Sequence, residues 1–546
     1  MSQKRLTGVA VSPGRASGPV VRVAEPLGEP PSTPSPEDPH AEAARIAPAA
    51  QAVVTRLETL AESATGDAAT ILQTTAAMAG DPALVSQAEQ LVATERLPAA
   101  RAIFQAADGF AKALAAAGGY LAERVRDIED VRDRIVAELL GVTPPGVPEL
   151  TGPSVLVARD LAPADTAGLD PKQVLALVTE EGGPTSHTAI LARALGIPAV
   201  VAVRGVLELD AEALAVDGDA GAVEVADPDA PVVAATASGP VAWDGAGRTA
   251  DGHRVKVLGN VGSASDARAA AEAGAEGVGL FRTEFCYLDA PAEPDVAAQR
   301  TAYAAVLAPF RGKPVIVRTL DAGADKPLAF LSPEDEPNPA LGVRGVRIAF
   351  DRPDVLDRQL EAIAGAAAES GAEVSVMAPM VATAAEAAWF AERVRAAGIA
   401  RAGVMIEIPA AALATAEILA EVDFVSVGTN DLAQYTFAAD RQLGAVAALN
   451  DPWQPALLRL LGAVGDAAEA TGKPAGVCGE AAADPLLARV LTGLGLTSLS
   501  MNAAAVRAVG ASLAEVTFEQ CAAAARAALA APDPAAAKAA VRAATS

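Results

Sequence analysis

The sequence predicts a multidomain α/β chain: a small β/α domain interrupted by a helical bundle, followed by a (β/α)8 barrel. Three observations lead there. Strand-like runs flank a long stretch whose apolar residues recur at three- and four-residue spacing. From Val255 onward, strand and helix patterns alternate steadily to the end of the chain. The length of 546 residues, at ~150 residues per domain, leaves room for three or four structural units.

The elements follow in order. Gly18–Val23 reads as a strand after the Ser12-Pro13-Gly14 turn. A proline-rich break, Pro30–Pro39, precedes a helical block over Ala41–Leu140, punctuated at Asp81-Pro82 and Gly118-Gly119. Ser154–Ala158, Val174–Thr179 and Pro198–Val203 then read as strands, Thr188–Leu195 as a helix, and Leu214–Asp217 with Ala222–Val225 as a hairpin. We therefore expect a β/α domain from residues 1–30 and 141–226, an inserted helical subdomain at 31–140, a linker at 227–253 and a barrel at 254–546. The expected barrel strands are Val255–Asn260, Gly277–Phe281, Pro314–Thr319, Val343–Ala349, Glu373–Pro379, Gly403–Ile408, Phe424–Gly428 and Pro474–Val477. A doubly wound sheet is the competing arrangement.

Composition narrows the function. The net charge is −26 and aromatic residues make up 3%. A chain so acidic lacks the clustered cations that nucleic acid or an anionic membrane surface requires. No apolar run is long enough for a secretory leader or a membrane span, so a cytoplasmic protein with no membrane insertion is expected. Cys286, Cys478 and Cys521 are too scattered for a disulfide framework or a paired-cysteine zinc site.

Of three histidines, His40 lies in the proline-rich stretch and His253 in an Asp251-Gly252-His253 turn. His187 differs. Gly182-Gly183 gives a tight turn after a strand, and Pro184, Thr185 and Ser186 suit a helix start. His187 then sits in the first turn, where free N–H groups favour an anion, as a phosphoryl acceptor requires. The alternative is a helix-capping or metal-binding histidine.

Arg282, Arg318, Arg344 and Arg441 fall at or just past expected strand ends, where barrels build their sites. A guanidinium fork suits phosphate and carboxylate oxygens; the alternative for any single one is a surface ion pair. Glu407 and Asp431 fall at the same end, as Mg²⁺ ligands or as partners of those arginines. Cys478 ends the last expected strand and is placed either to donate a proton or simply to pack. Glu123, Asp127, Glu129, Asp130 and Asp133 form either a solvated helix face or, as we expect, a docking face for a basic partner.

These segments carry a resemblance. Gly182–Arg193 with Gly196-Ile197-Pro198 resembles the phosphohistidine motif of the phosphoenolpyruvate-utilising enzymes. Gly277–Phe285, Arg318–Asp321, Gly428–Tyr435, Cys478-Gly479-Glu480 and the early Gly8–Gly14 resemble, in order, the enzyme I family of the bacterial phosphoenolpyruvate-dependent sugar phosphotransferase system. The resemblance implies a swivelling phosphohistidine domain and a pyruvate-kinase-like barrel. It implies an enzyme that moves the phosphoryl group of phosphoenolpyruvate to its own His187 and then to the carrier HPr, the first step of sugar uptake. His187 would be the acceptor and Cys478 the acid. Arg282, Arg318, Arg441, Asn430 and Asp431 would hold the substrate, with Arg344 and Lys326 in the same segments. Glu407 and Asp431 would hold Mg²⁺. The helical block would dock HPr, and the barrel would form a homodimer. Two rivals remain at this point: a dikinase or synthase acting on pyruvate and phosphoenolpyruvate, and a non-catalytic phosphoenolpyruvate sensor.

Overall fold

Short valine- and alanine-rich strands separated by helices bury both of their faces, which a parallel sheet achieves by closing into a barrel. A computed structural model describes residues 5–545 except positions 13, 25–26, 34, 64–66, 118–124, 145, 149, 151, 162–168, 171, 184–187, 190–191, 193–194, 219–220, 229, 234–242, 288–291, 324–327, 329, 332–335 and 441–442. The chain divides into two units, Met1–Gly239 and Pro240–Ser546. His187, Lys326, Arg441, Glu123 and part of the expected linker lie outside the described residues.

The first unit is built on a mixed sheet of eight strands: β1 (Arg5–Thr7), β2 (Val9–Ser12), β3 (Arg15–Arg22), β4 (Ser154–Ala158), β5 (Val174–Thr179), β6 (Ala199–Val201), β7 (Ala213–Asp217) and β8 (Ala222–Val225). The order is β1-β8-β7-β3-β4-β5-β6-β2. The central strands β3, β4, β5 and β6 run parallel, while β7 and β8 form the expected antiparallel hairpin. Val155 and Val157 join one apolar cluster, and Leu156 and Ala158 another. That alternation is the two-residue period of a sheet buried on both faces.

Between β3 and β4 the chain leaves the sheet to form the helical block. Its helices are Pro39–Ala43, Ile46–Ser63, Asp67–Ala79, Pro82–Glu95, Ala99–Ala117 and Val125–Leu140. Leu57, Leu84, Ile103 and Ile135 belong to a core of the block's own. Val125–Leu140 corrects one expectation. Asp127, Asp130 and Asp133 are 8%, 8% and 2% exposed, so they do not form an open docking face. Arg134 holds Asp130 at 2.8 Å and Arg132 holds Asp133 at 2.7 Å, while Arg132 also lies 4.2 Å from the centre of the Phe104 ring. A buried carboxylate needs such a partner, and Asp130 and Asp133 find theirs on the same helix.

The second unit is a closed barrel of eight parallel strands. They are β9 (Lys256–Val261), β10 (Val278–Arg282), β11 (Pro314–Arg318), β12 (Glu373–Ala378), β13 (Ala402–Ile406), β14 (Phe424–Val427), β15 (Ala475–Val477) and β16 (Ser498–Met501). The doubly wound alternative is thereby excluded. Two strand assignments change. Val343–Ala349 is not a strand; Val346–Asp351 is a short helix. Its apolar Val343, Val346 and Ile348, three and two residues apart, fit either period over so short a run. The eighth strand is Ser498–Met501, whose two serines hide it from a reading based on β-branched residues. His253 stacks on Phe518 with ring centres 4.0 Å apart, which fits the structural reading of that turn.

Helix Pro485–Gly493 shows how firmly the outer layer is fixed. Asp484 caps it, accepting from Leu486 N at 2.8 Å and Leu487 N at 3.1 Å. The other oxygen of Asp484 accepts from the indole N–H of the buried Trp453 at 2.8 Å. Asp484→Ala removes the cap and leaves the indole donor unpaired. We expect a loss of about 2–4 kcal/mol, read as a lower denaturation midpoint for the barrel.

Candidate functional site

Every residue that the sequence singled out in the barrel, among the described residues, falls at the C-terminal ends of its strands or in the loops that follow. Arg282 ends β10 and Arg318 ends β11, and the two are direct partners in the strand register. Arg318 is 5% exposed. Its guanidinium pairs with Glu284 and lies 3.1 Å from Asp321. Burial opposes the charge on Arg318, but Glu284, Asp321 and Glu407 outweigh it and hold its pKa above the ordinary value. Burial pulls Arg282 the other way, offset in part by Glu284. Arg282 lies over the ring of Phe285, 4.9 Å from its centre.

Arg344 is not at a strand end but within the connection that follows β11. It stands in the turn between a 3₁₀ segment, Pro339–Leu341, and helix Val346–Asp351. It is 1% exposed. Its Nε and Nη2 fork onto Asp321 at 3.1 and 3.2 Å, and its Nη1 donates to Asp431 at 3.1 Å. Asp321 thus joins both buried arginines. Neither Asp321 nor Glu284 was assigned a role from sequence, although both lie inside the motifs that carried the resemblance. The signal was an acid at a fixed offset from each arginine; its partner across the barrel could not be read.

Glu407 follows β13 and is 1% exposed. Its Oε2 accepts from the backbone N–H of Met380 at 3.0 Å. Met380 has φ +59°, a left-handed conformation that is costly for a side-chain-bearing residue. The turn after β12 holds that strain and aims the N–H at the carboxylate. Gly428 supplies the room: a Cβ there would lie 2.6 Å from Glu407 Oε1. Burial first, then the charges of Asp431 and Asp321, push Glu407 up to about 7, against Arg318 and Arg344.

That crowding of carboxylates is what a divalent cation relieves. Among the described residues, no three His, Cys, Asp or Glu side chains are arranged to hold a metal by themselves. Two carboxylate ligands, completed by substrate and water oxygens, suit Mg²⁺, which keeps part of its shell outside the protein. The donors present fit that ion.

Asp431 and Asn430 lie in the first turn of helix Thr429–Phe437, directly after β14. Asn430 Oδ1 accepts from Glu480 N at 3.3 Å and so ties this turn to the one after Cys478. Cys478 follows β15 and packs among Leu280, Met377, Met405 and Phe424 inside the barrel. Asn260 Nδ2 donates to its carbonyl at 2.9 Å, and Ser500 in turn donates to Asn260. Burial pushes the Cys478 thiol up to about 12, so it stays protonated at neutral pH. Nε of Arg282, Nε of Arg318, Oε2 of Glu284 and Oγ1 of Thr429 are buried without a hydrogen-bond partner. Unsatisfied polar atoms at one end of a barrel are a mark of a ligand site.

Comparison with known proteins places the chain in a family. The profile described as PEP-utilising enzyme, PEP-binding domain, matches residues 242–518. The N-terminal domain of the PEP-utilising enzymes matches residues 7–124, and their mobile domain residues 150–221. A phosphoenolpyruvate-protein phosphotransferase of Streptomyces coelicolor is 54% identical over 544 residues, 96% of each chain. One from Latilactobacillus sakei is 38% identical over 534 residues, 92% of each chain. A solution structure described as Enzyme I (nEIt) is 33% identical and covers 41% of this chain and 93% of its own, with a TM-score of 0.35.

Two outcomes test the site as built. Asp321→Ala strands two buried guanidiniums, and we expect a loss of about 3–5 kcal/mol in barrel stability by denaturant titration. Cys478 should react with iodoacetamide at pH ~8 at least ~100-fold more slowly than free cysteine, measured by mass spectrometry of the native protein.

Proposed function

The chain belongs to the phosphoenolpyruvate-protein phosphotransferases, the enzyme I proteins, and from that premise we propose how its residues divide the reaction. Phosphoenolpyruvate sits at the C-terminal mouth of the barrel. Arg282, Arg318 and Arg441 hold its phosphate and carboxylate, with Asn430 and the backbone of Asp431. Lys326 adds a further cation. Arg344 works through Asp321 and Asp431, since its nitrogens are taken up by those carboxylates. Glu407 and Asp431 would hold Mg²⁺, which when bound supplies positive charge to the phosphoryl oxygens.

His187 Nε2 attacks phosphorus. The bond from phosphorus to the enol oxygen breaks as the bond from nitrogen forms. The enolate left behind takes the proton of the Cys478 thiol at its methylene carbon, giving pyruvate. A thiol that keeps its proton up to about 12 is a weak acid, suited to a strongly basic carbanion and not to bulk water. His187 then passes the phosphoryl group to HPr. The acceptor and the substrate site are carried by different units of the chain. We place the reaction as the first step of sugar uptake and phosphorylation, in the cytoplasm. Among the described residues no helix is long and apolar enough to cross a membrane. The resemblance also implies a homodimer through the barrel.

The observation that carries the proposal is the meeting of buried arginines, crowded carboxylates and a protonated thiol at one end of the barrel. Incubation with labelled phosphoenolpyruvate and Mg²⁺ tests it. The protein should take up acid-labile phosphate, and His187→Ala should take up none. Cys478→Ser should slow pyruvate release by ~100-fold or more, with phosphoenolpyruvate binding retained. Uptake of label by His187→Ala sinks the assignment of the acceptor.

A further inference from the structure

Behind the arginines lies a buried polar network that the reaction does not use directly. The β10–β11 ladder ends at the pair Arg282 and Arg318. Beyond it the amide of Gln359 bridges the two segments that follow. Gln359 is on helix Pro353–Ser370 and is 2% exposed. Its Oε1 accepts from Leu320 N at 3.1 Å. Its Nε2 donates to Thr283 Oγ1 at 3.0 Å and to Tyr303 OH at 3.1 Å. Thr283, which is fully buried, donates in turn to the carbonyl of Arg318 at 2.8 Å. Tyr303 shares a hydrogen bond with Tyr287, and both rings are buried. All the amide protons of Gln359 are therefore used, and its orientation is fixed by its partners.

The residues it grips are the neighbours of those that matter. Thr283 follows Arg282. Leu320 lies between Arg318 and Asp321. One side chain on an outer helix therefore ties together the two segments that leave the paired strand ends, at Thr283 and at Leu320. We infer that Gln359 is a positioning residue for the substrate arginines: its amide holds the turns that follow the paired Arg282 and Arg318, and so the setting of their side chains and the affinity of the barrel mouth for a phosphorylated carboxylic acid. This inference rests on the reading that phosphoenolpyruvate binds at these arginines. It adds a residue that touches neither substrate nor metal. The alternative is an ordinary buried amide that serves only the scaffold.

The two differ in what they move. Gln359→Met keeps the length of the side chain and removes its hydrogen bonds. Thr283→Val removes the hydroxyl at nearly constant volume, and Thr283→Ser restores it. In the full-length protein with Mg²⁺, we expect Gln359→Met and Thr283→Val to raise KM for phosphoenolpyruvate ~10- to 100-fold, because a small misplacement of binding groups weakens the bound geometry. The rate at saturating substrate should fall far less. Thr283→Ser should stay within ~3-fold of the wild type. Transfer from phosphorylated His187 to HPr, which does not use the barrel arginines, should be unchanged. A wild-type KM in Gln359→Met, beside lost phosphoenolpyruvate binding in Arg318→Ala, overturns the inference and leaves the substrate reading standing. Failure of the wild type to take phosphate from phosphoenolpyruvate overturns both. If Gln359→Met does not fold, the two threonine variants decide; if Thr283→Val also fails to fold, the network is scaffold alone and the inference is lost.

Discussion

The barrel mouth depends on one carboxylate. Asp321 is 1% exposed and faces the guanidiniums of both Arg318 and Arg344. Two buried like charges repel strongly at short range, and an acid between them turns that repulsion into a tie. Arg344 then reaches Asp431, while Arg318 reaches Glu284. Three connections of the barrel, those after β10, β11 and β14, are thus joined through charge. This arrangement explains how a chain of net charge −26 keeps cations in place for an anionic substrate. The arginines are not surface charges that happen to lie close; they are bound into the protein by acids of their own.

The same density of charge leaves Glu407 under tension. It is buried beside two further acids, its pKa raised to about 7, and its backbone donor comes from a strained Met380. Such a group has more to gain from a divalent cation than an exposed carboxylate would. Strain in the chain and crowding of charge converge on one oxygen pair, which is where the proposed metal chemistry is needed. Cys478 sits in the opposite environment: sulfur and aromatic neighbours, no near cation that dominates, and a proton held firmly.

Much of this was legible in the sequence, and the parts that were not share a cause. Periodicity located most barrel strands because each is a short, doubly buried run between helices. It misread Val343–Ala349, where the apolar spacing fits a helix as well as a strand, and it passed over Ser498–Met501, where serines face the interior. The motif residues Arg282, Arg318, Glu407, Asn430, Asp431 and Cys478 do come to one end of the barrel. Asp321 and Gln359 were silent because their meaning lies in partners far along the chain: Arg344, and through it Asp431, for one, Thr283 and Leu320 for the other. The acids of Val125–Leu140 misled for a related reason. A charged stretch resembles a solvated face until its neighbours are known, and Arg132 and Arg134 turn it inward.

The helical block carries a consequence for how the first unit folds. It leaves the sheet after β3 and returns at β4, and those two strands are adjacent and parallel. Their pairing therefore closes a loop from Val23 to Pro153, an entropic cost that an unfolded segment of that length imposes in full. A block with its own core shortens the distance between its two stems before the strands meet. The order of events is then set by topology: the bundle collapses early from local contacts, and the sheet completes late. Slow assembly of the sheet, with the bundle already formed, would be the kinetic signature of this architecture.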